Sequence, residues 1–228
     1  MSKLLIKERE IVIPGQKLAE GMDFLPSDGT LREKDNIIST HIGLVDVKGR
    51  IVKVIPLNGR YIPKVGDVVI GKINEIGMSN WRIDIGWAFF AGLRISEASN
   101  EYIPADAPLS RYFDVGETVA CKIVKISGTK FVDVTMKGPG LGKLGNGRVI
   151  QCNPTKVPRI IGRKGSMIHL LKDASGCRIT VGQNGAVWIS GSSPDKELLV
   201  EKTIKMIEER SHESGLTETI SKHLEENK

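Results

Sequence analysis

The chain has 228 residues, of which 40% are hydrophobic but only 5% aromatic, so it is long enough for two domains, or three small ones, with aliphatic cores. Lys plus Arg number 33 against 27 for Asp plus Glu, a net charge of +6 that leans toward a polyanionic partner and equally suits a basic protein without one. Cys121, Cys152 and Cys177 make no CxxC pair and no Cys/His cluster, which argues against zinc and for a reduced, cytoplasmic chain. No apolar stretch approaches the ~18–20 residues of a membrane span, and charge comes too early at Lys3 and Lys7 for a secretory signal.

The first segment, residues 1–60, reads as a small all-β domain. Ile11-Val-Ile-Pro-Gly15, Asp28-Gly29, Val45-Asp-Val-Lys-Gly49 and Ile51-Val-Lys-Val-Ile55 are strand and turn signals with no helical periodicity. The second, residues 61–137, reads as a barrel of about five strands. It opens on Lys64-Val-Gly-Asp-Val-Val-Ile-Gly-Lys-Ile73. In the next strand Trp81, Ile83, Ile85 and Trp87 alternate onto one face, with Arg82 and Asp84 on the other. A connection rich in Pro and Ser runs from Ser96 to Asp114, ahead of two further strands, Glu117–Ile126 and Lys130–Met136.

Residues 138–145 read as a glycine-rich linker. Gly140, Gly142 and Gly145 match GxGxxG, but a dinucleotide loop must follow a strand and open into a helix. Here the turn Asn146-Gly147 and a strand follow instead, so the linker reading prevails.

The third segment, residues 146–228, runs strand, helix, helix, strand, strand, helix. Met167, Leu171 and Ala174 are spaced for a helix face. Gln183-Asn184-Gly185 joins two strands in a hairpin. Ser193 and Pro194 suit a helix start, and Val200, Ile204 and Ile207 its buried side. The charged stretch Ser211–Lys228 reads as a frayed helix or tail.

Between the first two helices lies Gly162-Arg163-Lys164-Gly165, flanked by Ile160-Ile161 and by Ile168 at helical spacing. This arrangement resembles the KH family in its type I, βααββα form. A nucleic-acid backbone has to lie flat on the protein chain, and glycine allows that approach. Arg163 and Lys164 point outward toward phosphate, and the helix that follows favours anions at its start. Ile161, Ile168 and Ile179 are candidates for an apolar groove that takes bases, and each equally suits plain core. The competing account of the loop is a helix–turn–helix corner with surface charge.

The middle segment resembles the S1 family, an OB-type barrel, through Val65-Gly-Asp-Val-Val-Ile-Gly-Lys72, Gly92-Leu-Arg-Ile-Ser-Glu97 and Val115-Gly-Glu-Thr-Val-Ala-Cys-Lys122. Such barrels bind single strands with a basic groove and stacking aromatics. The chain departs from the family in having Gly77-Met-Ser-Asn-Trp81 at a usual aromatic site and Arg94 at a usual histidine, which leaves stacking without an obvious residue. Trp81 and Trp87 suit the core. Lys72, Arg82, Arg94 and Lys122 are the candidate RNA contacts, with a solvated surface as the competing account of each.

The order of β domain, S1 barrel and KH domain, with the early Ile13-Pro14-Gly15 turn, resembles the KH/S1 cap subunits of the RNA exosome, of the ribosomal-RNA-processing protein four type. The plain Gly-Arg-Lys-Gly loop resembles the archaeal members. The resemblance implies a non-catalytic subunit, present in three copies on a ring of phosphorolytic, ribonuclease-PH-like subunits. It would gather single-stranded RNA and lead its 3′ end into the ring.

The residues agree with a binding role. His41, His169, His212 and His223 are scattered, and no Walker loop, Ser-His-Asp order or acidic metal cluster is visible. No cofactor is expected. A free-standing RNA-binding protein in translation or RNA folding, and a nuclease, are the competing functions. If the loop binds RNA, Gly162→Asp with Gly165→Asp should weaken single-strand binding and leave the fold intact. Changing Arg163 and Lys164 to Ala should lower the salt dependence of binding by up to ~2. Titrations at several salt concentrations read both, and an unchanged slope removes the loop from the interface.

Overall fold

The computed structural model describes residues 3–104, 107–211 and 215–226. Of the residues weighed above, His212 and Lys228 lie outside these. The chain divides into two units, Met1–Gly59 and Arg60–Lys228.

In the first unit, eight short strands follow the turn signals. They are β1 (Lys3–Leu4), β2 (Ile11–Val12), β3 (Lys17–Glu20), β4 (Leu25–Pro26), β5 (Thr30–Glu33), β6 (Asn36–Ser39), β7 (Gly43–Lys48) and β8 (Ile51–Pro56). They form two four-stranded sheets, ordered β1-β3-β6-β5 and β2-β7-β8-β4. Val12, Leu18, Ala19, Ile37, Val45, Val52 and Val54 make the core. At Gly29 the chain runs so close to β8 that a Cβ would lie 2.6 Å from the Val54 carbonyl oxygen.

Alternation in the second sheet sends Val45 and Val54 inward and their neighbours outward. On the outer face Leu44 pairs with both Ile11 and Ile55, and Ile51 pairs with Leu25. Ile11, Leu25, Ile51 and Ile55 are all exposed there. Between the two apolar rows lies the Asp46–Lys53 pair at 2.9 Å. The hydrogen bond from Lys53 holds the Asp46 carboxyl below the usual carboxylate range.

The second unit opens with the barrel. Its strands are β9 (Val68–Ile76), β10 (Asn80–Asp84), β11 (Ala91–Arg94), followed by α1 (Ile95–Ala98), and then β12 (Thr118–Ile126) and β13 (Val132–Thr135). The order β13-β11-β10-β9-β12 closes on itself through the β12–β13 pairing. Trp81, Ile83 and Ile85 fill the interior as their alternation requires, and Trp87 packs half-buried at its margin. The Ser96–Asp114 connection is more than a loop. Its Ile103, Leu109 and Phe113 enter the same core. Trp81 donates its indole N–H to the Phe113 carbonyl at 3.0 Å, and the two rings meet edge to face at 5.4 Å.

The glycine-rich stretch differs from the linker expected. Gly142–Lys143 forms a strand, β14, that pairs with Val119 and Ala120 of β12. The next element is again a strand, β15 (Arg148–Gln151), so the GxGxxG match has no helix to open into.

After β15 come α2 (Val157–Ile161), α3 (Ser166–Ser175), β16 (Arg178–Val181), β17 (Ala186–Ser190) and α4 (Pro194–Glu209). The sheet runs β15-β17-β16, all antiparallel, which is the βααββα form expected. Val200, Ile204 and Ile207 of α4 are fully buried in its core. The charged end is a formed helix, α5 (Leu216–Glu226). Leu216, Ile220 and Leu224 recur every four residues and join the same core, which explains why the segment folds despite its charge.

The hairpin between β16 and β17 docks on the barrel. The Asn184 side-chain amide donates to the carbonyls of Ile70 (2.7 Å) and Ile85 (2.9 Å), and its oxygen accepts from the Ile70 N–H (3.2 Å). Gln183 N–H donates to the Val68 carbonyl at 2.7 Å. Ile70, Ala186 and Trp188 form a small core beside this knot, with Leu144 of the bridge against it. Trp188 donates to the Gly145 carbonyl at 3.3 Å.

Because Asn184 is buried, Asn184→Ala strands three backbone groups. It should cost about 1–3 kcal/mol of stability, read by urea unfolding. An unchanged midpoint would mean that the hairpin does not hold the barrel this way.

Candidate nucleic-acid interface

The Gly162–Gly165 loop is built by the chain before it serves any ligand. Gly162 ends α2 at φ +76°, ψ 173°, a region essentially reserved for glycine. A Cβ there would lie 2.7 Å from the Met167 amide nitrogen and 2.8 Å from the Met167 Cβ. Gly162 is therefore required by the turn into α3, and the expectation that Gly162→Asp leaves the fold intact is corrected. Gly165, at φ +82°, is less confined: its nearest neighbour would be the His169 ring at 3.2 Å.

Between them Arg163, Lys164 and Gly165 make one 3-10 turn. Lys164 sits in the left-handed region at φ 54°, ψ 28°, a strain of about 1 kcal/mol or more for a side chain of its kind. Arg163 and Lys164 are exposed, and among the described residues neither forms an ion pair. Beside the loop, Ile161 and Ile168 pack on the core while remaining half-exposed, whereas Ile179 is buried and belongs to the core. The structure thus brings Gly162, Arg163, Lys164, Gly165, Ile161 and Ile168 together.

The four barrel cations do not form one cluster. Lys72 and Lys122 are exposed on β9 and β12, with no ion pair among the described residues. Arg82 of β10 pairs with Glu75 at 2.9 Å, and Arg94 of β11 reaches Asp133 at 3.8 Å. Both pairs are solvent-exposed and individually weak.

Between Arg82 and Asp133 lies Gly92, and on it packs an aromatic that the sequence did not bring forward. Cross-strand pairing places Gly92 next to both of them. The Phe131 ring lies over Gly92, 3.0 Å from where a Cβ would be, with 44% of the residue exposed. Phe89 and Phe90, in the turn before β11, are exposed as well. An aromatic platform flanked by arginines therefore exists, although the usual family position holds none. The missed signal was Gly92 inside a strand, which marks a close approach by a neighbour.

Burial pushes the Cys121 and Cys152 thiols up to about 12, so both stay protonated and unreactive at neutral pH. Among the described residues no group of His, Cys, Asp and Glu is arranged to hold a metal.

Three family descriptions match in chain order: the exosome RNA binding protein RRP4 N-terminal domain over residues 9–58, the RRP4 S1 domain over 60–103, and the KH domain over 147–209. The exosome complex component Rrp4 of Thermococcus kodakarensis is 42% identical over 98% of this chain and 88% of its own length. The chain belongs to the Rrp4 family. Rrp4 of Methanothermobacter thermautotrophicus is 42% identical over 97% of this chain and 70% of its own. Rrp4 of Pyrococcus abyssi gives 42% over 96% and 84%. A crystal structure of a protein described as an exosome complex RNA-binding protein superposes with a TM-score of 0.66 at 35% identity. It covers 74% of this chain and 97% of that one.

Within this Rrp4-family chain, the loop geometry separates support from contact. Gly162→Ala should destabilise the protein by at least about 1–2 kcal/mol. Arg163→Ala and Lys164→Ala should stay within about 0.5 kcal/mol of the parent. Chemical denaturation measures both, and a fully stable Gly162→Ala would contradict the packing of the turn.

Proposed function

We propose that this chain is a non-catalytic RNA-binding cap subunit of the exosome, which captures single-stranded RNA and presents it to the degrading subunits. The observation that carries this reading is the family membership over nearly the full chain, joined to an exposed GxxG loop whose two cations form no ion pair among the described residues. Gly162, Arg163, Lys164 and Gly165 hold the RNA backbone, with Ile161 and Ile168 beside the bases. On the barrel, Phe131 with Arg82 and Arg94 offers a stacking surface of the kind that single strands use. Lys72 and Lys122 add exposed positive charge elsewhere on the barrel, on β9 and β12. Residues 1–60, 61–137 and 146–228 act as three modules, with 138–145 as the bridge.

The partners are single-stranded RNA and a ring of ribonuclease-PH-like subunits, which carries three copies of this chain. The outer apolar rows of Ile11, Leu44 and Ile55 and of Ile51 and Leu25 support a protein partner for the first unit. Exposed contiguous apolar side chains of this kind mark interaction faces. The assembly works in the cytoplasm, in keeping with three free buried thiols and no helix among the described residues long and apolar enough to cross a membrane. The alternative of a free-standing S1/KH protein in translation or RNA folding is not favoured by the archaeal Rrp4 relatives, each named an exosome complex component.

Gentle pull-down of the tagged native protein, with RNA digested beforehand, should recover a large stoichiometric complex containing ribonuclease-PH-like subunits. The purified chain alone should bind labelled single-stranded RNA without cleaving it, with or without Mg²⁺ or phosphate. A lone chain in the pull-down would return the free-standing alternative, and cleavage by the isolated chain would overturn the non-catalytic role.

A further inference from the structure

The last helix changes the surroundings of the GxxG loop. Where α5 begins, it walls a cleft of about 330 Å³ whose other side is α2 and the loop itself. Arg159 and Arg163 both line this cleft, with the hydroxyl-bearing Ser166 and Thr217 around it and Met167 and Leu216 forming an apolar floor. Ile161 and Ile168, which flank the proposed base groove, are not among its lining residues. The cleft and that groove are therefore two different places on the same loop.

The charge arrangement is the informative part. Arg159 and Arg163 line one cleft from either side of the Gly162 turn, and like charges brought together repel. No carboxylate lines the cleft among the described residues, and neither guanidinium forms an ion pair there. The sequence around them is one-sided. From Val134 to Lys172 it contains no Asp or Glu, while Lys156, Arg159, Arg163, Lys164 and Lys172 all fall within it. Two guanidinium groups, each with a fork of donors, and two hydroxyls around a small cleft match a phosphate group. The apolar floor suits the face of a sugar.

We propose that this cleft is a second phosphate subsite for RNA, held chiefly by Arg159, which takes a backbone phosphodiester next to the one at the Arg163-Lys164 turn. The proposal rests on the RNA-binding reading of the loop. It adds a residue outside the GxxG sequence and gives α5 a role beyond completing the core. Leu216 is buried and fixes the helix start, and Thr217, the next residue, is exposed at the cleft.

The test uses the full chain, a fluorescent single-stranded oligonucleotide, and affinity measured at several salt concentrations for the parent, Arg159→Ala, Arg159→Lys and Lys164→Ala. Arg159 is exposed on a helix, so alanine there should leave the unfolding midpoint unchanged. Each single-strand phosphate contact contributes a slope of about 0.7 in log affinity against log salt. Arg159→Ala should lower the slope by about that amount, Arg159→Lys should keep most of it, and Arg159→Ala with Lys164→Ala should lose about twice as much. An unchanged slope for Arg159→Ala beside a reduced slope for Lys164→Ala overturns the subsite and leaves the loop reading standing. Unchanged slopes for both overturn the loop reading itself. Inorganic phosphate titrated calorimetrically gives the other arm. If it binds in an Arg159-dependent way while RNA affinity ignores Arg159, the cleft serves free phosphate and the RNA subsite is refuted.

Discussion

A buried amide is the centre of the junction that ties the barrel to the rest of the second unit. Asn184 satisfies the N–H and carbonyl of Ile70 and the carbonyl of Ile85 at once, at a place where the hairpin runs directly onto strand β9. Buried backbone groups left unpaired are costly, so the hairpin and the barrel wall hold each other in register. The small core of Ile70, Ala186 and Trp188 then excludes water from the knot, which strengthens the bonds within it. Arg178 lies over Trp188 at 5.7 Å and shields the indole from outside. The consequence for function is that the barrel surface and the GxxG loop belong to one body. A flexible RNA strand that touches both meets a fixed spacing, and the entropy of ordering two loose modules is not added to the cost of binding.

Around that frame, positive charge is sorted by whether the fold neutralises it. Arg148 is tied to Glu201 at 2.8 Å, and Glu201, also held by Lys205, sits below the usual carboxylate range. Lys143 is tied to Glu117. These cations serve the packing of the bridge and of α4. Arg159, Arg163 and Lys164 have no such partners among the described residues. The same sorting applies on the barrel, where Arg82 and Arg94 are paired and, among the described residues, Lys72 and Lys122 are not. A polyanion gains most where no carboxylate competes for the cation, which favours the loop over the paired arginines of the barrel.

Reactive chemistry is put out of reach in the same fold. Cys121 faces the barrel interior, and Cys152 and Cys177 belong to the other core of the unit. The Tyr61 hydroxyl donates to Asp67 at 2.6 Å, and burial first, with this hydrogen bond second, raises its pKa above the usual phenol range. These groups stabilise turns and cores. A subunit that handles RNA without altering it requires surfaces of fixed shape and charge, and that is where the exposed side chains are found.

Much of this was legible in the sequence because it is local. Alternation set the faces of Trp81, Ile83 and Ile85, Asn184-Gly185 set the hairpin, and Gly162-Arg-Lys-Gly165 between two helices set the loop. Composition misled where a sparse pattern hid in it. The charged end concealed the stripe of Leu216, Ile220 and Leu224, and the glycine-rich bridge concealed a strand. What the sequence could not carry depends on residues far apart in the chain. Phe131 lies on Gly92 only because β11 and β13 pair, Asn184 finds Ile70 and Ile85 only after the hairpin docks, and Arg159 faces Thr217 only once α5 returns to the loop. Local preferences act over a few residues, where neighbours along the chain decide the geometry. Burial, pairing of distant strands and the electrostatic company of a charge are set by packing, and only the tertiary structure decided them.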